Sequence, residues 1–354
     1  MNNTQPIDIL AIGDTVVDAF IKLKVAEVHV DEAKDQKMIC MPFGDKVPFT
    51  EAVELVGVGN SANAAVSAAR LGLNSALLTC VGNDTHGEKS IASLTQDGVI
   101  PNFIHKVDGK KTNYHYVLWY KDERTILINH EIYDYHIPTE LTSGQVSTPR
   151  YIYLSSLGEN SLPFHSEIAS YLETHPDVKL VFQPGTFQMK FGTEALKDIY
   201  KRTHIFFCNK EEAVRILGLD TQADHSIKHL LLELRKLGPE LPVITDGPAG
   251  AYTYDVNVAD IKNLTIDENT PVVHLPIYPD PFPPLERTGA GDAFASTFTV
   301  AITQGKDVRT ALMWGSINSM SVCQQIGAQR GLLHEKELLE WMAKAPTDWK
   351  TINI

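Results

Sequence analysis

Short apolar runs closed by polar turns recur along the chain and alternate with stretches of helical period. Ile7-Asp8-Ile9-Leu10-Ala11-Ile12 reads as a mostly buried strand, which Gly13-Asp14 then turns towards Asp18. From about residue 150 onward, 151–154, 180–182, 205–208 and 241–245 read as strands, with amphipathic helical segments such as 230–237 between them. This alternation predicts an α/β fold of three layers, a mostly parallel doubly wound sheet covered on both faces. In such sheets ligands collect at the carboxyl ends of the strands. Polar residues follow each run: Ser155-Ser156, Gln183-Pro184-Gly185, Asn209 to Glu212, and Thr245-Asp246-Gly247.

Two stretches break the alternation. Between 21 and 55, Lys22, Lys24, Glu27, Asp31, Lys34, Asp35 and Lys37 intersperse short β-type runs such as Val28-His29-Val30 and Met38-Ile39-Cys40-Met41. Between 112 and 129, Tyr114, Tyr116 and Leu118 alternate with His115, Val117 and Trp119 before Lys121-Asp122-Glu123-Arg124. Paired, the two segments make a small β-sheet attached to one domain that spans 1–354. The pattern leaves open whether that sheet serves as a lid or a subunit interface.

The chemistry concentrates at Glu286-Arg287-Thr288-Gly289-Ala290-Gly291-Asp292. Phe294, Phe298, Ala301 and Ile302 follow at i, i+4, i+7 and i+8, so a helix begins near Gly289. Its first N–H groups lack intrahelical partners and, with the helix dipole, form a site for an anion such as a phosphoryl group. Asp292 then stands beside that anion, placed to take a proton from an attacking hydroxyl. On the plainer reading it only caps the helix. A second glycine segment, Gly57-x-Gly59-x-x-Ala62, leads into a helix of small residues that closes at Arg70-Leu71-Gly72. It also satisfies the dinucleotide fingerprint, with Asp84 at the ribose-binding distance, which raises an NAD(P)-dependent oxidoreductase as a rival. Against that rival, the preceding segment carries Glu51 and Glu54, and the first core strand lies elsewhere.

Composition narrows the classes. The 354 residues and 43% hydrophobic content allow a large core, and a formal charge of −13 argues against nucleic acid as the main partner. Cys40, Cys80, Cys208 and Cys323 are far apart with no zinc spacing, which fits reduced thiols in a cytoplasmic protein. No apolar run reaches membrane-spanning length and no signal peptide is expected. The P-loop pattern is absent.

Taken in order, these segments resemble the ribokinase family of carbohydrate kinases, which includes adenosine kinase and the minor-type phosphofructokinases. Gly289-Ala290-Gly291-Asp292 is similar to that family's late signature, and Gly59-Asn60-Ser61-Ala62-Asn63 with Val81-Gly82-Asn83-Asp84 to its early one. The resemblance implies transfer of the ATP γ-phosphoryl group to a hydroxyl of a small sugar, with Asp292 as base and the 289–292 turn as anion hole. It implies Asp18, Gly59, Asn60 and Asn63 as substrate-binding residues. It further implies Asn209, Glu212, Thr245, Gly247 and Gly250 on the nucleotide side, with Mg²⁺ near Glu212 through water. A homodimer through the lid is expected, and some relatives need a monovalent cation such as K⁺. A nucleoside acceptor stacked on Tyr114, Tyr116 or Trp119 is the nearest alternative, and a non-catalytic sugar sensor a distant one. Three places depart from the family pattern: Glu286-Arg287 stands for Asp-Thr, Val58 for a glycine, and Gln183-Pro184-Gly185 for Asp-Pro-Asn.

Overall fold

The computed structural model describes residues 6–31, 36–121 and 123–354. Lys34 and Asp35 of the expected small sheet, and Asp122 of its turn, lie outside the described residues. Among the described residues, ten strands form one sheet in the order Ile352–Asn353, Val272–Leu275, Ala251–Tyr254, Leu241–Thr245, Thr203–Asn209, Lys179–Phe182, Tyr151–Leu154, Ile9–Ile12, Ser75–Gly82 and Ile104–Val107. Pairing is parallel from Ile104–Val107 as far as Leu241–Thr245, and the last three strands run antiparallel. The parallel strands are near-continuous apolar runs because both faces are covered: Leu10, Leu77, Ile152, Val181, Phe206 and Val243 are fully buried.

Helices Asn60–Arg70, Ala290–Thr303 and Val308–Cys323 pack on one another, and Leu162–Thr174, Lys210–Ile216 and Ile227–Lys236 belong to a second group. Asn60–Arg70 is buried along most of its length, and Ser67 Oγ lies 3.2 Å from Thr297 Oγ1. Its alanines and serines allow that close approach. Gly72 follows the helix with φ 88°, the left-handed position expected of a terminating glycine.

The two irregular stretches meet in a second sheet, ordered Phe49–Val58, Val16–Leu23, Asn113–Tyr120, Glu123–Leu127, with Glu27–Asp31 and Gln36–Cys40 as a separate hairpin. The second sheet starts at Val16, earlier than the expected 21, because the chain leaves the central sheet at Gly13 and enters the next strand within three residues. Asp18 is therefore a strand residue and not a turn residue. The register sets Asp18 beside both Leu55 and His115, and Phe20 beside Val53 and Val117. One face of the small sheet thus carries Asp18, Phe20, Leu55, His115, Val117 and Trp119, and Tyr114 and Tyr116 point the other way.

Among the described residues, no helix is long and apolar enough to cross a membrane.

Candidate active site

Asp292 is almost fully buried in the first turn of Ala290–Thr303. Three side-chain amides surround its carboxylate. Asn60 Nδ2 donates to Oδ1 at 2.9 Å, Gln183 Nε2 to Oδ1 at 3.1 Å, and Asn63 Nδ2 to Oδ2 at 2.9 Å. Burial pushes the carboxyl above its usual range, and the amides of Asn63, Gln183 and Asn60 only partly offset it. A first-turn aspartate is expected to be a weak base at about pH 4. Here burial shifts it in the direction of a stronger base.

Sequence places the two asparagines one helical turn apart, and the backbone aims them. Gly59 precedes the helix with φ 124°, and a Cβ there would lie 2.6 Å from the Asp14 carbonyl oxygen. Only glycine lets Asn60–Arg70 start against the end of the first strand. The same geometry removes the dinucleotide reading. The strand ahead of Gly59, Phe49–Val58, belongs to the small sheet and not to the parallel one. Asp84 is occupied as the cap of Thr85–Gln96: it accepts from Gly87 N–H at 2.8 Å and from Thr112 N–H and Oγ1–H at 2.9 and 2.7 Å.

The glycines of the late signature differ in what requires them. Gly289 has φ 80°, and a Cβ would come within 2.2 Å of the Ala328 Cβ. At Gly291 a Cβ would meet nothing within 4 Å. The Ala290 N–H reaches back to Arg287 O at 3.3 Å, and Gly291 and Asp292 occupy the part of the helix that has no intrahelical acceptor for their N–H groups. Glu286 fixes the turn from below. It is buried and accepts from Thr288 N–H at 2.7 Å and from Gly327 N–H at 2.8 Å.

Ala290 and Gly291 border a cleft whose other walls include Thr245, Gly247, Gly250, Tyr278, Asp280 and Arg287. Three of the residues expected on the nucleotide side, Thr245, Gly247 and Gly250, thus meet the anion turn in one cavity. Asn209 and Glu212 lie outside its lining. They form a reciprocal cap, with Glu212 N–H to Asn209 Oδ1 at 2.8 Å and Asn209 N–H to Glu212 Oε2 at 2.9 Å. Burial, with the Asp292 charge among lesser causes, raises the Glu212 carboxyl despite that backbone bond. Among the described residues, no group of three or more His, Cys, Asp or Glu side chains could hold a metal ion.

Asp18 and Asp14 flank two histidines. His115 Nδ1 lies 3.2 Å from Asp18 Oδ1, His115 Nε2 3.2 Å from His130 Nε2, and His130 Nδ1 3.5 Å from Asp14 Oδ2. Tyr135 donates to Asp14 Oδ1 at 2.7 Å. Asn63 Oδ1 is buried without a hydrogen-bond partner, and Asp18 Oδ1 has only the His115 ring 3.2 Å away, outside hydrogen-bond geometry. The aromatic residues expected for a nucleoside do not join this group. Tyr114 and Tyr116 lie on the opposite face of the small sheet, and Trp119 is buried, donating to Lys121 O at 2.8 Å. The face bearing Asp18 borders the anion turn: Phe20, Trp119 and Arg124 share a small cavity with Glu286 and Arg287, and Leu55 sits where a Cβ on Gly327 would fall.

Gln183, Tyr153, His115 and His130 do not stand out from sequence as parts of one site. Gln183 and Tyr153 lie at or near carboxyl strand ends, which is a signal of position but not of partner.

The description of pfkB family carbohydrate kinases matches residues 24–335. The ATP-dependent 6-phosphofructokinase of Thermoanaerobacterium thermosaccharolyticum is 25% identical over 86% of this chain and 88% of its own length. The 5-dehydro-2-deoxygluconokinase of Bacillus velezensis is 21% identical over 96% and 95%. In fold, Arabidopsis thaliana ribokinase complexed with ribose and ATP superposes with a TM-score of 0.74 at 18% identity, covering 95% of this chain and 98% of its own.

Proposed function

Since the chain belongs to the pfkB family of carbohydrate kinases, we propose that it transfers the γ-phosphoryl group of ATP to a primary hydroxyl of a small sugar. The observation that carries this reading is the position of Asp292. It lies between amides on one side and, on the other, a first helical turn whose Gly291 faces open space. The acceptor hydroxyl gives its proton to Asp292 as the phosphoryl group arrives, and the N–H groups of 289–292 hold the charge on that group. Asn63 Oδ1 is a buried acceptor without a partner and Asp18 Oδ1 has only the His115 ring 3.2 Å away, so both can take further donors. A sugar supplies them through hydroxyls other than the one phosphorylated. This favours a polyhydroxylated acceptor, and the outward-facing Tyr114 and Tyr116 give no support to a stacked base.

ATP would occupy the cleft of Thr245, Gly247, Gly250 and Arg287, with its terminal phosphate at the anion turn. Mg²⁺ would be held by the nucleotide phosphates and by water ordered on Glu212, whose Oε1 is free of the cap bond; the donor set fits an ion that keeps its waters. When bound, it neutralises phosphate charge. The small sheet acts as a lid over the acceptor and, through its exposed face, as the contact between two copies. With its four cysteines free, we assign the protein to the cytoplasm.

The test is Mg-ATP-dependent ADP release across pentoses, hexoses, sugar phosphates, sugar acids and nucleosides, with and without K⁺. Release with one class, reduced about 10²- to 10⁴-fold in Asp292→Asn, is the expected result. Wild-type turnover in that variant would remove Asp292 from the reaction, and release with nucleosides alone would replace the sugar reading.

A further inference from the structure

The two oxygens of Asp292 are not equivalent. A carboxylate oxygen has two good acceptor directions. Oδ1 uses both, for Asn60 Nδ2 and Gln183 Nε2, whereas Oδ2 uses one, for Asn63 Nδ2. Gln183 is itself held: its Oε1 accepts from the Tyr153 hydroxyl, and Tyr153 is buried at the end of the neighbouring strand. With Oε1 so engaged, Gln183 turns its NH₂ to Asp292. We propose that Tyr153 and Gln183 are positioning residues that saturate Oδ1, leaving Oδ2 as the oxygen that takes the proton.

The inference rests on Asp292 being the base. In the step, the acceptor O–H bond breaks and its oxygen bonds the γ-phosphorus. The bond from that phosphorus to the bridging oxygen breaks, the diphosphate leaves with the electron pair, and the proton goes to Asp292 Oδ2. Gln183 is neutral and a donor, so it holds the carboxylate without adding charge. An acid at this position would place a second carboxylate against the base.

Three variants test the relay: Gln183→Leu, which keeps bulk and removes the donor; Gln183→Glu, which adds an acid; and Tyr153→Phe, which frees Oε1. Two readouts are taken, the pH dependence of turnover and the ¹³C titration of the Asp292 carboxyl in unliganded protein, assigned by its loss in Asp292→Asn. Gln183→Leu should move both midpoints upward together, Gln183→Glu further, and Tyr153→Phe less. A rise of about one pH unit lowers turnover about tenfold on the acid side and leaves the alkaline plateau unchanged. The acceptor KM should stay within about threefold, since Gln183 acts through Asp292. Turnover lowered equally at every pH, or lost stability with an unmoved carboxyl titration, would make Gln183 a packing residue and overturn the proposal. An unmoved titration in Tyr153→Phe alone would remove Tyr153 from it. If no acceptor supports turnover in the wild type, the kinase reading fails, and the carboxyl titration still decides whether Gln183 acts on Asp292.

Discussion

Asp292 carries a charge that the fold only partly favours, and this has opposite consequences for activity and stability. Its carboxyl is raised by burial, so the ionised form needed of a base is lost as pH falls through the raised value, and turnover falls with it. For stability the sign reverses. A carboxyl raised in the folded state costs stability as pH climbs from its ordinary value to the raised one, and the penalty is constant above that. Asp292→Asn removes this penalty. Its new NH₂ group would face Asn63, whose Oδ1 is buried without a partner and can turn to accept. The variant should therefore melt no lower than the wild type near pH 7 although it is inactive; a Tm lowered by several degrees would show that the carboxylate is structural. At this scale sequence is informative about single residues and blind to pairs. Asp292 is legible from a glycine turn and a helix start, and Asn60 and Asn63 from the resemblance of their segment to a family signature. Gln183 is not, because nothing near residue 183 says that a helix start 109 positions away is its partner.

At the scale of the element, helix Ala290–Thr303 opens with two glycines that local sequence treats alike. Gly289 is held by backbone and packing: a left-handed φ and contact with Ala328. Gly289→Ala should cost about 1–3 kcal/mol and lower the melting temperature. Gly291 has no such constraint, so Gly291→Ala should fold normally and gain slightly in helix propensity. Its methyl group would enter the open space proposed for the transferring phosphoryl group, so the expected loss is in turnover with Mg-ATP. Melting curves and steady-state kinetics on the pair separate the two roles, and equal behaviour would deny the distinction. The four parallel strands from residue 150 to 245 are legible within two residues at each end, since continuous apolar runs have few alternatives, whereas the antiparallel Ala251–Tyr254, Val272–Leu275 and Ile352–Asn353 are not. The start of the small sheet was not, because Val16 and Val17 look the same in either sheet, and only tertiary pairing with Asn113 and Tyr114 decides.

Across the whole molecule, the small sheet buries Phe20, Val117 and Trp119 on its inner face beside Asp18 and His115, and leaves further aromatic and apolar side chains exposed outside. Tyr116 and Leu127, register partners on the outer face, are about half exposed, as is Phe49 at its edge. Light scattering should find a dimer, and Leu127→Asp with Tyr116→Asp should return it to monomer; a monomeric wild type would end the interface reading and leave the lid. Sequence patterning disclosed that this sheet exists but not which face is dry, since both faces carry aromatic residues.

The amides around Asp292 come from 232, 229 and 109 residues earlier in the chain. During synthesis these amides therefore leave the ribosome long before the residue proposed to activate the acceptor. On the proposed mechanism, a growing chain short of the late signature lacks both the base and the anion turn, and Asn60–Arg70 still awaits the helix it packs on. Competence of the proposed kind arrives only with Ala290–Thr303, so the last fifth of translation would act as its own safety catch.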